Sequence, residues 1–185
     1  MFASRINFQF KPYVSWQPDP EALAIDAFSL DWSTMFSFCF PPFSIILKVL
    51  QKLREEEGEM CLIVPFWKTQ PFFPMLGRLL IENPVILPDR KDLLSHPVKG
   101  CHHPLLEKKR LRLLACRLSG KILKNKAYLN KLQRSSLQPV DLLLSNNMTL
   151  IANSGSHFVC KGKLIPVVHM RKIFYPFSLI FFIKT

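Results

Sequence analysis

Few stretches of this chain hold side chains that could do chemistry. The first is Phe40-Pro41-Pro42-Phe43. Two prolines make a stiff turn, and the rings beside them are held in fixed directions. Phe40 has no hydrogen-bond acceptor in its side chain, so any acceptor there must be a backbone carbonyl. On its own, Pro-Pro also reads as a plain turn opening a helix. Cys101-His102-His103, with His157, Cys160 and His169 downstream, supplies zinc-type ligands. Zinc sites pair ligands two to four residues apart at both ends, and only His157 with Cys160 fits half of that pattern, so no metal is expected. Cysteine, histidine and aspartate are all present, but no local signature of a thiol nucleophile accompanies them. Glu55-Glu56-Glu57 with Glu59 reads as a solvated helix end. There is no phosphate-binding P-loop and no glycine-rich dinucleotide loop. Asn147-Met148-Thr149 has the form of a glycosylation acceptor, which means little without a secretory route.

The strongest compositional signal is charge. Residues 1–92 carry 9 Lys/Arg against 11 Asp/Glu, and residues 93–185 carry 16 against 2, which together give the net charge of +12. A near-neutral front half thus joins a strongly basic back half. Lys108, Lys109, Arg110, Arg112, Arg117, Lys121, Lys124, Lys126 and Lys131 are the candidate nucleic-acid contacts, because neutralising phosphates releases counterions. The competing reading is a solvated basic face, or a segment whose acidic partner lies elsewhere in a longer protein. The chain has 5 cysteines, an odd number, at long spacings. Arg5 and Gln9 interrupt the opening residues, so no secretory signal is read there. Free thiols in a reducing compartment, cytoplasmic or nuclear, are expected.

The elements that must position these residues follow from periodicity. Met35–Phe40 reads as a strand closed by Pro41 and Pro42. Ser44–Glu57 reads as a helix, with Ile45, Ile46, Val49, Leu50 and Leu53 at helical spacing and Gly58 ending it. Met60–Phe66 reads as a buried strand and Gln70–Ile81 as a second amphipathic helix. Strand–helix–strand–helix is an α/β pattern, with the helices as crossovers between parallel strands. A linker rich in breakers follows. Pro104–Arg134 reads as a basic helical stretch with a stripe of Leu105, Leu111, Leu114, Cys116 and Leu118, broken at Ser119-Gly120. Met148–Ile165 reads as a hairpin turning at Gly155 and Gly162. Ile173–Ile183 is apolar. It is shorter than the roughly 20 residues a spanning helix needs, and Arg171 and Lys172 flank it, so a membrane is not the expected partner.

Four segments in fixed order carry a family resemblance: Phe2-Ala-Ser-Arg-Ile-Asn7, Asp26-Ala-Phe-Ser-Leu-Asp-Trp32, Phe40-Pro-Pro-Phe43 and Leu62-Ile-Val-Pro-Phe-Trp67. Together they resemble phage-type Dam-like adenine methyltransferases. They resemble more closely the methyltransferase-like region of DIRS-type (tyrosine-recombinase) retrotransposon polyproteins. Leu111-Arg-Leu-Leu-Ala-Cys-Arg-Leu-Ser-Gly120 and His157-Phe-Val-Cys-Lys-Gly-Lys-Leu-Ile165 extend the resemblance to about residue 170. In such methyltransferases an Asp or Asn precedes Pro-Pro and accepts from the target amine, raising its nucleophilicity, while the following aromatic stacks on the flipped base. Phe40 stands in the acceptor's place, so the resemblance implies a vestigial catalytic loop. It also implies S-adenosylmethionine as the ancestral cofactor, with Asn7 and Asp26 on its side. For Asp26 a turn or helix cap is the preferred reading. Asp31-Trp32 matches the family and is expected to pack the loop. Met1 stands where the family has a Leu preceded by an Asp and a first strand. That implies a fragment beginning within the domain, with an unpaired sheet edge that invites aggregation or partners.

The expected architecture is therefore an α/β truncated Rossmann-like methyltransferase half-domain over residues 1–88. A linker (89–103), a basic helical segment (104–135), a hairpin-containing region (136–170) and an apolar tail (171–185) follow. The expected function is a retrotransposon-derived polyprotein fragment without catalysis or cofactor, binding DNA or RNA through its basic segment, with no specific protein partner. The alternatives are a residual S-adenosylmethionine-dependent adenine methyltransferase and a small membrane-associated protein using the apolar tail.

Overall fold

A computed structural model describes residues 1–90, 93–95, 111–132, 157–170 and 179–180. Its centre is the unit β3 (Phe36–Cys39), α1 (Ile46–Glu55) and β4 (Glu59–Pro65). The two strands are parallel, in register from Phe36 opposite Glu59 to Cys39 opposite Leu62, so α1 is a crossover helix as the periodicity predicts. Ile46, Val49, Leu50 and Leu53 repeat at helical spacing and are fully buried. That apolar stripe, rather than local propensity, holds a helix this short.

The helix ends differently from the sequence expectation. Glu57, not Gly58, takes the left-handed backbone, with φ 54°. Gly58 is needed for room instead, because a Cβ there would lie 2.6 Å from the Trp32 carbonyl oxygen. α2 (Phe72–Leu79) follows β4 and buries Phe72, Phe73, Leu76 and Leu79 against the same face of the sheet as α1.

The largest departure is β7 (Leu113–Ser119), inside the stretch expected to be a basic helix. It runs antiparallel to β4 along its whole length and antiparallel to β5 (Val85–Ile86). Core clusters pack on both faces of this strand over much of its length, so its sequence is nearly continuous apolar residues and periodicity cannot tell it from a helix. Leu114, Cys116 and Leu118 face the helices in one core cluster, while Leu111 and Leu113 join Ile63, Leu93 and Leu94 in a second. The helix of this region begins only after Gly120, as α3 (Ile122–Lys131). Residues 104–110 and 133–135 of the expected helical stretch lie outside the described residues.

β8 (His157–Cys160) and β9 (Lys163–Pro166) form the expected antiparallel hairpin. Lys161 and Gly162 turn it with φ of 48° and 67°, a pair of positive φ that matches strand twist in a two-residue loop. The part of the expected hairpin before His157, with Gly155, lies outside the described residues. β10 (Val168–His169) then pairs parallel with β5. The resulting five-stranded sheet has the order β10-β5-β7-β4-β3, is mixed in direction, and has β3 at one edge. The fold is thus mixed α/β: β3, β4 and β5 run in one direction, and antiparallel β7, expected as helix, makes the sheet mixed.

Three small pairings complete it. β1 (Val14–Ser15) lies parallel to β2 (Ala24–Ile25), and β6 (Leu94–Ser95) lies parallel to β11 (Leu179–Ile180). Ala3 bridges to Ser15. Among the described residues, no helix is long and apolar enough to cross a membrane. Apart from Leu179 and Ile180, the apolar tail lies outside the described residues.

Candidate functional site

The proline loop leaves the carboxyl end of β3. Phe40 is half-buried and Pro41 buried, while exposed Pro42 opens a 3-10 turn over Phe43–Ile45 that leads into α1. The Phe43 ring packs edge-on against Phe40 at 6.3 Å and against Trp67 at 5.3 Å. Beside the loop lies a cleft of about 840 Å³, whose walls include Phe40, Pro41 and Pro42 but not Phe43. Residues 1–16 supply much of the rest, with Phe10, Tyr13 and Trp16 contributing rings. Phe10 also sits 5.2 Å from Phe38 of β3, ring to ring.

The two residues expected on the cofactor side separate. Asn7 lines the cleft. Its Oδ1 accepts from the Ser4 backbone N–H at 2.6 Å and from the Ser4 hydroxyl at 2.9 Å. Asp26 does not line the cleft. Its carboxylate accepts from the Phe28 N–H at 2.9 Å and caps the 3-10 turn Ala27–Ser29, at a φ of 61°. Of its two sequence readings, the cap is the one the geometry shows. Trp32 is core: its indole N–H donates to the Ala27 carbonyl at 2.8 Å and its backbone N–H to Glu56 at 2.7 Å. Glu56 also pairs with Lys52, so the acidic run is not simply a solvated helix end.

Cysteine and histidine give no reactive centre among the described residues. Burial pushes the Cys39 thiol up to about 11 and raises Cys61, Cys116 and Cys160 as well. An activated thiol needs the opposite shift. His157 and Cys160 lie three apart on β8, so their side chains leave opposite faces of the strand and cannot share an ion. No group of three metal-binding side chains occurs among the described residues, and Cys101, His102 and His103 lie outside them.

The basic candidates fall on β7, its flanks and α3. Lys108, Lys109 and Arg110 lie outside the described residues. Arg112 is exposed, 5.2 Å over the Phe66 ring. Arg117 projects from β7, pairs with Glu82 at 2.9 Å and lies 5.5 Å from the Phe36 ring. β7 ends at Ser119, in register with Glu59. The chain then turns through Gly120, whose N–H donates to the Gly58 carbonyl at 2.8 Å. That turn brings Lys121 to 3.7 Å from Glu59, and Lys124 onto the same carboxylate. The Lys124 hydrogen bond, with the charges of Lys121 and Arg117 behind it, holds the Glu59 carboxyl below the usual carboxylate range. Lys126 and Lys131 are exposed on α3, while Asn125, Tyr128 and Leu129 of that helix are buried.

Sequence reasoning missed Glu59 and Glu82. They are acidic partners of the basic stretch and lie in the front half of this same chain. Only the β4–β7 register brings Glu59 to the lysines, and no local pattern encodes it. Compared with protein-family models, with curated proteins and with solved structures, the chain matches none.

Proposed function

We propose that this chain derives from a retrotransposon polyprotein and associates with DNA or RNA through the cations of β7 and α3, without transferring methyl groups. The observation that carries the reading is that exposed Arg117, Lys121 and Lys124 come together near the Ser119 end of β7, with Lys126 and Lys131 exposed on α3. Long, exposed cations on adjacent elements suit a phosphate backbone, which needs charge rather than base-specific donors.

The vestigial-methyltransferase part rests on the parallel β3–α1–β4 unit with a proline loop at the carboxyl end of β3. Ligands of Rossmann-like sheets sit beyond the carboxyl ends of their strands. Phe40 at the first loop position supports loss of chemistry, since its ring offers no acceptor to an attacking amine.

Two measurements test the proposal. Thermal unfolding with S-adenosylmethionine is expected to show no rise in midpoint, because a ligand of the folded state stabilises it by mass action. A clear rise, followed by methyl transfer to an adenine-containing oligonucleotide, would replace the proposal with the enzyme reading. Oligonucleotide binding is expected to weaken steeply with salt, and no binding at low salt would end the nucleic-acid reading.

A further inference from the structure

We infer that the cleft beside the proline loop is a binding site for a neutral, planar, largely apolar molecule that carries a hydrogen-bond acceptor. This inference stands apart from the nucleic-acid reading, which concerns β7 and α3. Three observations converge on it.

Size and lining come first. About 840 Å³ lies within the range of small-molecule pockets, roughly 300–1,000 Å³. Seven aromatic residues line it, Phe10, Trp16, Phe36, Phe38 and Phe40 among them. Several apolar side chains at this site are left open to solvent in the free chain: Phe10 at 55 %, Leu23 at 58 % and Phe36 at 60 % exposure. Exposed rings beside a cleft favour a flat guest that can stack on them or meet them edge-on.

Charge comes second. Among the described residues, Lys11 is the only charged side chain lining the cleft. It is already engaged with Glu21 at 3.6 Å and lies 5.4 Å over the Phe8 ring. The Met1 amine is held by the Phe38 carbonyl oxygen at 2.6 Å. An anionic guest would lose hydration against apolar walls with no unengaged cation among the described lining residues to meet it.

Hydrogen bonding comes third. Two Ser4 donors fix which end of the Asn7 carboxamide is oxygen, because a backbone N–H can only donate. What Asn7 can offer a guest is therefore its amide nitrogen, a donor. A carbonyl on the guest would meet it.

The test uses the full chain and Nile red, a neutral planar dye with a carbonyl. Saturable binding is expected, with blue-shifted emission and no loss of affinity at high salt. Acetonaphthone should displace the dye, and naphthoate, with the same ring but a negative charge, should compete at least about tenfold less well. Asn7→Asp keeps the acceptor that Ser4 uses, replaces the donor and adds a charge. It should lower dye affinity by about tenfold or more with an unchanged thermal midpoint. If that variant fails to fold, Leu23→Asp, at an exposed position on the wall, should weaken the dye similarly. Absence of saturable binding, naphthoate competing as well as acetonaphthone, or folded variants with wild-type affinity would each overturn the inference.

Discussion

Under the proposed nucleic-acid contact at β7 and α3, Glu59→Gln is expected to strengthen binding, although it removes two ion pairs from the fold. Glu59 sits at the start of β4 with Lys121 and Lys124 on its carboxylate, and Glu82 sits on Arg117. These five side chains hold three cations and two anions, a net of +1. In the wild-type chain a phosphate approaching either lysine must displace Glu59 or share the lysine with it. The glutamine variant raises the cluster to +2 and frees both lysines at the cost of one charge. Each additional phosphate neutralised steepens the dependence of log affinity on log salt by about 0.9 for a duplex. For one new contact, affinity should therefore fall by a further factor of roughly 3.5 for each fourfold rise in salt. The assay is fluorescence anisotropy of a labelled duplex titrated at several salt concentrations, for the wild type, Glu59→Gln and Lys124→Gln. The ordering expected for low-salt affinity and slope is Glu59→Gln above wild type above Lys124→Gln. A slope unchanged in both variants, with both folded, would refute the placement of the nucleic-acid contact at this end of β7 and α3.

Three further predictions concern the framework that holds these residues. The Asn125 amide is buried and donates to the Leu79 carbonyl at 2.9 Å and the Ser119 carbonyl at 3.0 Å, so Asn125→Leu orphans both and should cost roughly 2–4 kcal/mol in urea unfolding. Gly120→Ala would put a Cβ 2.0 Å from the Leu53 carbonyl oxygen; α1 must shift to accommodate it, and a loss of roughly 3 kcal/mol or more is expected, read as a lowered thermal midpoint. Because the Glu59 carboxyl is held below its ordinary value by Lys124 and Lys121, its stabilising contribution is present above the unfolded-state value and lost as pH falls through the folded one. The midpoint difference between wild type and Glu59→Gln should then shrink toward zero under acid conditions, and a difference that grows on acidification would contradict the pairing.

What could be read from the sequence tracks how local each determinant is. The stripe Ile46, Val49, Leu50 and Leu53 specifies α1 within a dozen residues, and Pro41-Pro42 marks where β3 must stop. The crossover geometry then follows, since two parallel strands joined by a helix have few other ways to connect. β7 was not legible for the converse reason. Leu111 to Leu118 is apolar at both helical and strand-like spacings, and what decides between them is the pairing with β4 and β5 on either edge. Gly58 and Gly120 both look like helix stops or breaks in the sequence. Their true constraint is the close approach of a distant carbonyl, from Trp32 and from Leu53 respectively.

The candidate site divides along the same line. Basic residues announce themselves by composition, but their availability depends on Glu59 and Glu82, acids more than thirty residues upstream in sequence. Composition therefore overstates the free charge of this surface, and the register of β4 against β7 sets how much of it a polyanion can use. The proline loop was legible as a motif, yet the motif points to Phe43 as the stacking ring, and Phe43 is instead packed against Trp67. The aromatic residues lining the cleft come partly from β3, where Phe36, Phe38 and Phe40 alternate, and partly from the N-terminal segment, where they follow no helical or strand period. A motif thus located the cleft without predicting its walls. The walls, apolar and with the one charged side chain among their described residues already engaged, argue for a different guest than the motif alone would suggest. If Nile red is displaced by acetonaphthone but not by S-adenosylmethionine, the loop has outlasted the chemistry it resembles, and the cleft answers to the aromatic residues around it.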